Sequence, residues 1–547
     1  MKLVKLLKLF LLLLPVISFA GVNLKNGNFY ISYTDIGAPG KGEDLKIVRT
    51  YNSKATRIGW FGFGWGSEFE TFLSVSADSS VVIHENGSGA MTRFVPKTAL
   101  DVDQAANNIV AEIRKNTTLS GKDATNLISK LKGDAELRHA YAKKFNVKGE
   151  LAVGTMLYSS DFGPQKVEII KNGFVRYFNS GKKQHFDSEG RLIKVIDKNN
   201  YAVDFNYKDK LLVSIKDTDS KQLFFEWYDN GKVSKITTTA KDKAATYKYE
   251  GHDLVFAQAA SQPEHKFVYA YDGNHNMIQV KYSDDSKMDI TYERATQFVS
   301  TITDRYSSKV SYEYGADKSN PDFHYWTAVT KDGLNAKQTK NKYEYYIKAT
   351  ADGALYTERI ITDVDGIKTD TVYNQFKLPV KITRGNMATS FKYNENGLLT
   401  EKLSRGELIK ISYDEKHNKI NRVENSKAGK VYNWTNFIYD NKGNLAKAES
   451  SEGKSVFLSY DISGRITQMV DKGDSNDKRT LVFTYGSLGK PVKIQMVGKG
   501  EINVSYDNYG AIKKVDSQKG HKMALEVTQA FQSLLSIVKP AGVNLNM

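Results

Sequence analysis

Side chains that could do chemistry are spread thinly along this chain. Nine histidines occur in 547 residues, and no pair stands at metal-ligand spacing. There is no His-Glu-x-x-His, no Gly-x-Ser-x-Gly and no Gly-x-x-x-x-Gly-Lys phosphate loop. Two acidic words, Asp217-Thr218-Asp219-Ser220 and Asp363-Val364-Asp365-Gly366, invite a calcium reading. A calcium loop needs alternate oxygen ligands closed by a Glu, and neither word supplies them. Both suit turns, where Asp bonds its own backbone and Gly accepts positive φ. Glu136 and His139 stand alone in a helical stretch and read as surface residues. Trp60 and Trp65 could stack on a sugar, but their flanking glycines favour a role as closely packed core aromatics. No catalytic residue, metal or cofactor is expected, and the chain reads as non-enzymatic.

The elements that carry these side chains repeat. SVFLSY at 455–460, TLVFTY at 480–485 and INVSY at 502–506 each alternate and end in Tyr, and a turn follows. In the last run Ile502, Val504 and Tyr506 share one face of a strand, with Asn503 and Ser505 on the other. The same word precedes Tyr207, Tyr228, Tyr249, Tyr271, Tyr292, Tyr314, Tyr373, Tyr393, Tyr413 and Tyr439, and Phe186 opens the series. Apart from one gap between 314 and 373, the steps are 20 to 26 residues. Such a period signals units that bury each other's faces. Each unit should be two short antiparallel strands and two turns. The gap reads as two damaged units, with a longer loop near 319–323.

Three units carry the full word: Tyr439-Asp440-x-x-Gly443, Tyr460-Asp461-x-x-Gly464 and Tyr506-Asp507-x-x-Gly510, each followed one residue later by an apolar side chain. Here the chain resembles the RHS family of YD-repeat proteins, with teneurin-like shell repeats. Arg49-Thr50-Tyr51-Asn52-Ser53 and Gly59-Trp60-Phe61-Gly62-Phe63-Gly64-Trp65 resemble the N-terminal domain that precedes those repeats. The resemblance implies an all-β fold, in which an array of β-hairpins curls into an open or partly closed shell. In larger RHS proteins the shell surrounds a C-terminal toxin, and a core segment with an autoprotease follows the repeats. The stretch after Tyr506 resembles neither, so neither activity is carried over.

Five segments are expected. Residues 1–20 form a signal peptide, with Lys2, Lys5 and Lys8 before an apolar run and small residues at 18 and 20. Residues 21–97 form the N-terminal β module. Residues 98–150 are a helical insertion, because Ala124, Leu127, Ile128 and Leu131 share a helix face and Ser120 and Asp123 have capping spacing. Residues 151–520 are the repeats. Residues 521–547 are a helix and tail, whose apolar Val527, Phe531, Leu534 and Val538 should cover the open edge of the array.

The chain has no Cys, so an exported product holds itself by core packing and ladder bonds alone. Its net charge is +16, largely spread among turns. That charge is either a solvated surface or an attraction to acidic glycan or anionic envelope. No later stretch is long and apolar enough to span a bilayer, and no nucleic-acid partner is expected. Two functions stand ahead of a third reading, an enzyme of unrecognised type. One is an exported structural or glycan-binding protein of the periplasm, cell surface or extracellular space. The other is a carrier whose shell encloses another polypeptide.

Overall fold

The computed structural model describes residues 19–38, 45–87, 89–159, 161, 163–239, 244–260, 265–332, 338–473, 478–507, 512–518 and 520–538. The expected leader lies almost wholly outside them, as does Gly510 of the last repeat turn.

Alternation builds the main body. In Ser455–Tyr460, Val456 and Leu458 are buried while Phe457 faces out. Inward residues of successive strands line up: Leu458 opposes Met469, Met469 opposes Leu481, and Leu481 opposes Met496, all buried. Repeated along the chain, this pairing yields one antiparallel sheet of 33 strands, from Met156–Ser159 to Ile512–Ser517, each bonded to the next in sequence. The turns follow the expected chemistry. Asp461 Oδ1 accepts from the amides of Ser463 and Arg465 at 2.9 and 3.0 Å, and Gly464 takes φ +75°. Asp440 does the same with Lys442 and Asn444, with Gly443 at φ +74°. Asp217 is also a turn acceptor, from the Lys221 amide at 2.8 Å, and Asp365-Gly366 is a two-residue hairpin turn. Between Tyr314 and Tyr373 the described strands keep pairing in sequence order, through longer strands such as Thr339–Ala349.

The N-terminal module is a four-stranded sheet that includes Asn28–Ala38 and Leu45–Asn52, plus a three-stranded sheet with Val81–Glu85 and Ala90–Phe94. It packs on the first half of the large sheet in one continuous core. The insertion forms three helices, α1 (Val102–Asn116), α2 (Gly121–Gly133) and α3 (Ala135–Lys144), around a small core of its own. The Ser120 hydroxyl caps α2 by accepting from the Asp123 amide at 3.2 Å.

The last helix, α4 (His521–Val538), sits elsewhere than expected. Met523, Val527 and Ala530 join the core with Val456, Leu458 and Met469, so α4 lies across the sheet face and also touches the edge strand Ile512–Ser517. The edge strand Ile512–Ser517 keeps Ile512 and Val515 exposed beside Lys513 and Lys514, charges that discourage edge pairing. The side chains of Phe531, Leu534 and Val538 lie outside the described residues. The face shared by the module, α4 and the repeat tyrosines is the inner face.

The sheet coils until early turns meet late ones. Asp161 pairs with Lys377 at 2.8 Å, and Asn179 Nδ2 donates to the Asn418 carbonyl at 3.4 Å. Asn199 lies against Gly464 so closely that any side chain there would collide with its amide. Lys198 stands beside Lys419, whose ammonium is brought down to about 8 by burial and by that neighbour. The helical insertion extends the same seam. Arg138 and Arg93 both hold Asp78, and they reach the Asp352 turn through Arg138 Nη2 to the Asp352 carbonyl at 2.8 Å and Arg93–Asp352 at 2.6 Å. These contacts join turns to turns, or the module and α3 to a turn, without strand pairing, so the shell is coiled but its sheet is not closed.

Candidate functional site: tyrosine ladder, docked module and open inner wall

The repeat tyrosines do more than fill space. Tyr460 Oη donates to the Leu445 carbonyl at 2.8 Å, Tyr485 to Ile466 at 2.7 Å and Tyr506 to Pro491 at 2.9 Å. Tyr439, Tyr413 and Tyr393 donate to Ile420, Leu399 and Pro379 in the same way. In the first half Tyr207, Tyr249, Tyr271, Tyr292 and Tyr314 repeat the bond. Each acceptor is the residue that pairs with the preceding repeat aromatic, as Leu445 pairs with Tyr439 and Ile466 with Tyr460; for Leu192 that aromatic is Phe186, and for Val233 it is Trp227. At each such pair the strand register shifts by one, a β-bulge that turns the ring toward the previous unit. Burial pushes the phenols of Tyr393, Tyr413, Tyr439 and Tyr460 up to about 12, which keeps them protonated donors. One rung differs from expectation. Trp227, not Tyr228, takes the position, with Nε1 donating to the Leu212 carbonyl at 2.8 Å, while Tyr228, 43% exposed, donates to the Tyr247 carbonyl at 3.1 Å. Phenol and indole both present a donor at the end of a flat ring, so either builds the rung.

The Arg-Thr-Tyr-Asn-Ser and Gly-aromatic words meet at the interface between module and sheet. Arg49 is fully buried and forks onto Asp35 through Nε and Nη2 at 2.8 and 3.1 Å. Its guanidinium lies 4.1 Å from the centre of the Trp65 ring. Tyr269 and Tyr247, from the repeats, reach Arg49 and Asp35 at 3.1 and 2.9 Å. Trp65 Nε1 donates to Tyr271 Oη at 2.9 Å, which joins the module to a ladder rung. Tyr51 Oη donates to the His275 carbonyl and accepts from the Met277 amide, both at 3.0 Å. Trp60 packs edge-on to Phe225 and Trp227, and its carbonyl accepts from Val233. Gly64, at φ +73°, leaves no room for a Cβ beside Tyr51, and its carbonyl accepts from the Asn52 amide. All six are therefore packing and docking residues. Trp65 is fully buried and offers a sugar no face, and Trp60 is half-buried against Phe225 and Trp227.

His139 is buried, not on the surface as its sequence context suggests. Ser74 Oγ lies 2.9 Å from His84 Nε2 and 3.3 Å from His139 Nε2, beneath Phe72, which stacks on His84. Burial, then Lys143, depress the imidazoles to about 3 for His84 and about 4 for His139. Among the described residues no three His, Cys, Asp or Glu side chains are placed to hold a metal.

One stretch of inner wall is covered by neither the module nor α4. A cavity of about 800 Å³ opens there among the strands between Ile382 and Lys454. Asn425, Thr435 and Ser450 line it beside the apolar Ile382, Met387 and Ile409, and Arg384, Arg405 and Tyr432 line it too.

The coiled meander and its ladder define a YD-repeat shell. A family model described as Teneurin YD-shell matches residues 156–546, and the chain belongs to that family. Residues 20–94 match a second model, a domain of unknown function, DUF6531. Among curated proteins, the tRNA3(Ser)-specific nuclease WapA of Bacillus spizizenii is 24% identical over 336 residues. The match covers 53% of this chain and 12% of that protein. The tRNA nuclease WapA of Bacillus subtilis is 23% identical, again over 12% of its length. Among solved structures, the TcdB2–TccC3–TEV crystal structure covers 90% of this chain and 28% of its own, at 10% identity and a TM-score of 0.44. Among the described residues no helix is long and apolar enough to cross a membrane.

Proposed function

We propose that the chain is an exported, non-enzymatic shell protein of the cell envelope or surface that binds acidic glycan on its inner wall. The observation that supports this is the uneven filling of the coil. The protein's own module and helix occupy the inner face at two places, and between them, among the described residues, a cavity lined by polar and apolar side chains stays open. The side chains best suited to chemistry are engaged structurally, Asp217 in a turn and Arg49 and Asp35 in a buried pair. The net charge of +16 favours an acidic partner. Lys2, Lys5, Lys8 and the apolar run after them favour export, with Gly21 as the new N-terminus.

A carrier that encloses another polypeptide is the second reading. It is favoured by the curated relatives, which are named nucleases and share only 12% of their length with this chain. The experiment is retention of the purified protein on immobilised heparin and on neutral dextran. Retention on heparin at low salt that falls steeply as salt rises supports the glycan reading. Passage through heparin at low salt removes it. A second polypeptide that co-purifies from the host in fixed ratio and resists protease would favour the carrier.

A further inference from the structure

We propose that the open-wall cavity recognises a uronate- or sulfate-bearing oligosaccharide, with Arg384 and Arg405 on the acidic group and Tyr432 against a sugar face. This rests on the reading of the shell as a glycan-binding protein, and it assigns the site and the mode of recognition.

The floor changes character where the cavity begins. Along their strands the buried Val423, Phe437 and Ala448 give way, two residues on, to Asn425, Thr435 and Ser450. Side chains two apart on a strand share a face, so these polar groups continue the core row. Asn425 and Thr435 are 8% and 3% exposed, and Ser450 Oγ is buried without a partner. Burying amides and hydroxyls costs free energy unless they are hydrogen-bonded. A wall with only a packing role would have continued with apolar side chains. Sugar hydroxyls both donate and accept, so they match a floor of Asn, Thr and Ser.

The rim supplies the charge. The two carboxylates at the cavity have lysine partners: Glu452 with Lys454 at 2.7 Å and Glu407 with Lys427 at 3.8 Å. Among the described residues neither Arg384 nor Arg405 has a carboxylate within ion-pair reach. Arg405 Nε and Nη2 both meet the Met387 thioether, the former at 2.9 Å, a weak acceptor that an anion's oxygens would replace. A guanidinium presents parallel N–H groups that fit carboxylate or sulfate oxygens two at a time. Tyr432, 57% exposed, offers an amphipathic ring beside them. The cavity volume falls in the range of sites that take small ligands.

The turn at Arg405 makes a clean test possible. Arg405 sits at φ +52°, followed by Gly406 at +76°, a two-residue hairpin turn that Asn enters more readily than Arg. Arg405→Asn should therefore keep the fold. The full mature chain is titrated with a heparin-derived octasaccharide, with maltooctaose, and with an oligoglutamate peptide of similar charge. The expected result is binding of the octasaccharide alone, and at least tenfold weaker binding by the Arg384→Gln/Arg405→Asn double variant at an unchanged melting temperature. Arg114→Gln, on exposed α1, controls for net charge and should bind as wild type does. Wild-type affinity in the double variant overturns the site while leaving the glycan reading standing. No octasaccharide binding by the wild-type protein overturns both. Preference for oligoglutamate overturns the sugar in favour of an acidic polypeptide.

Discussion

Tyr460 donates its hydroxyl to the carbonyl of Leu445, and Leu445 is the residue paired with Tyr439. Each rung thus ties a tyrosine to the hairpin before it. The bond runs across units, so it couples repeats that sheet pairing alone would join only at their edges. Tyr460→Phe removes the donor and leaves the ring. It should cost about 0.5–1.5 kcal/mol, the usual net worth of such a bond. The urea midpoint of Tyr460→Phe against wild type measures it, and an unchanged midpoint would show that the bond contributes nothing. Tyr506 is only partly buried, so Tyr506→Ala should cost roughly 2 kcal/mol, below the ~3–5 of a fully buried aromatic.

The period, the inward face and the Asp–Gly turns are all legible in the sequence, because each depends on side chains at fixed local spacing. The ladder acceptors are not. They are backbone carbonyls, supplied equally by Leu445, Pro491 and Met277. The choice of Trp227 over Tyr228 also escapes a search for tyrosine, since a bulge decides which of two adjacent aromatics faces inward. The seam joins Asn199 to Gly464 across most of the array, and no local pattern encodes such a contact. His139 looks like a surface residue because α3 is short and its burial comes from the module beneath it. The cavity floor reads in sequence as ordinary polar strand residues. Only the coil shows that they lie inside.

The Arg49–Asp35 pair is fully buried, so removing one partner strands a charge. Asp35→Asn should cost on the order of 3–5 kcal/mol, and Asp35→Asn/Arg49→Met should recover part of it. Loss of stability in the double variant equal to the sum of the two single losses would mean the pair is not coupled. The test is a double-mutant cycle by urea unfolding.

His84 and His139 stay neutral in the fold to about pH 3 and 4, while the unfolded chain protonates them near 6.5. Below 6.5 the unfolded state binds protons that the native state refuses, so stability falls as pH falls. Lys143, Arg57 and Arg93 reinforce the depression, and Asp78 opposes it at His139. Between pH 7 and pH 5 the loss should be roughly 2–4 kcal/mol. Urea midpoints across that range measure it. A His84→Gln/His139→Gln variant should lose most of the slope; an identical slope would place the effect elsewhere.

The seam is testable through two glycines that share a conformation and differ in their surroundings. Gly453 and Gly464 have φ +79° and +75°, so Ala at either meets the same backbone penalty, about 1 kcal/mol. Around Gly453 a Cβ would touch nothing, whereas at Gly464 it would collide with the Asn199 amide. Gly464→Ala should therefore destabilise more than Gly453→Ala, and the excess measures the contact between successive coils. Asn199→Gly removes the colliding amide, so adding it to Gly464→Ala should bring the loss back toward that of Gly453→Ala. Melting temperatures of the three variants decide the matter. Equal losses at the two glycines would mean that Asn199 does not lie against Gly464, and the seam would have to be opened at that point.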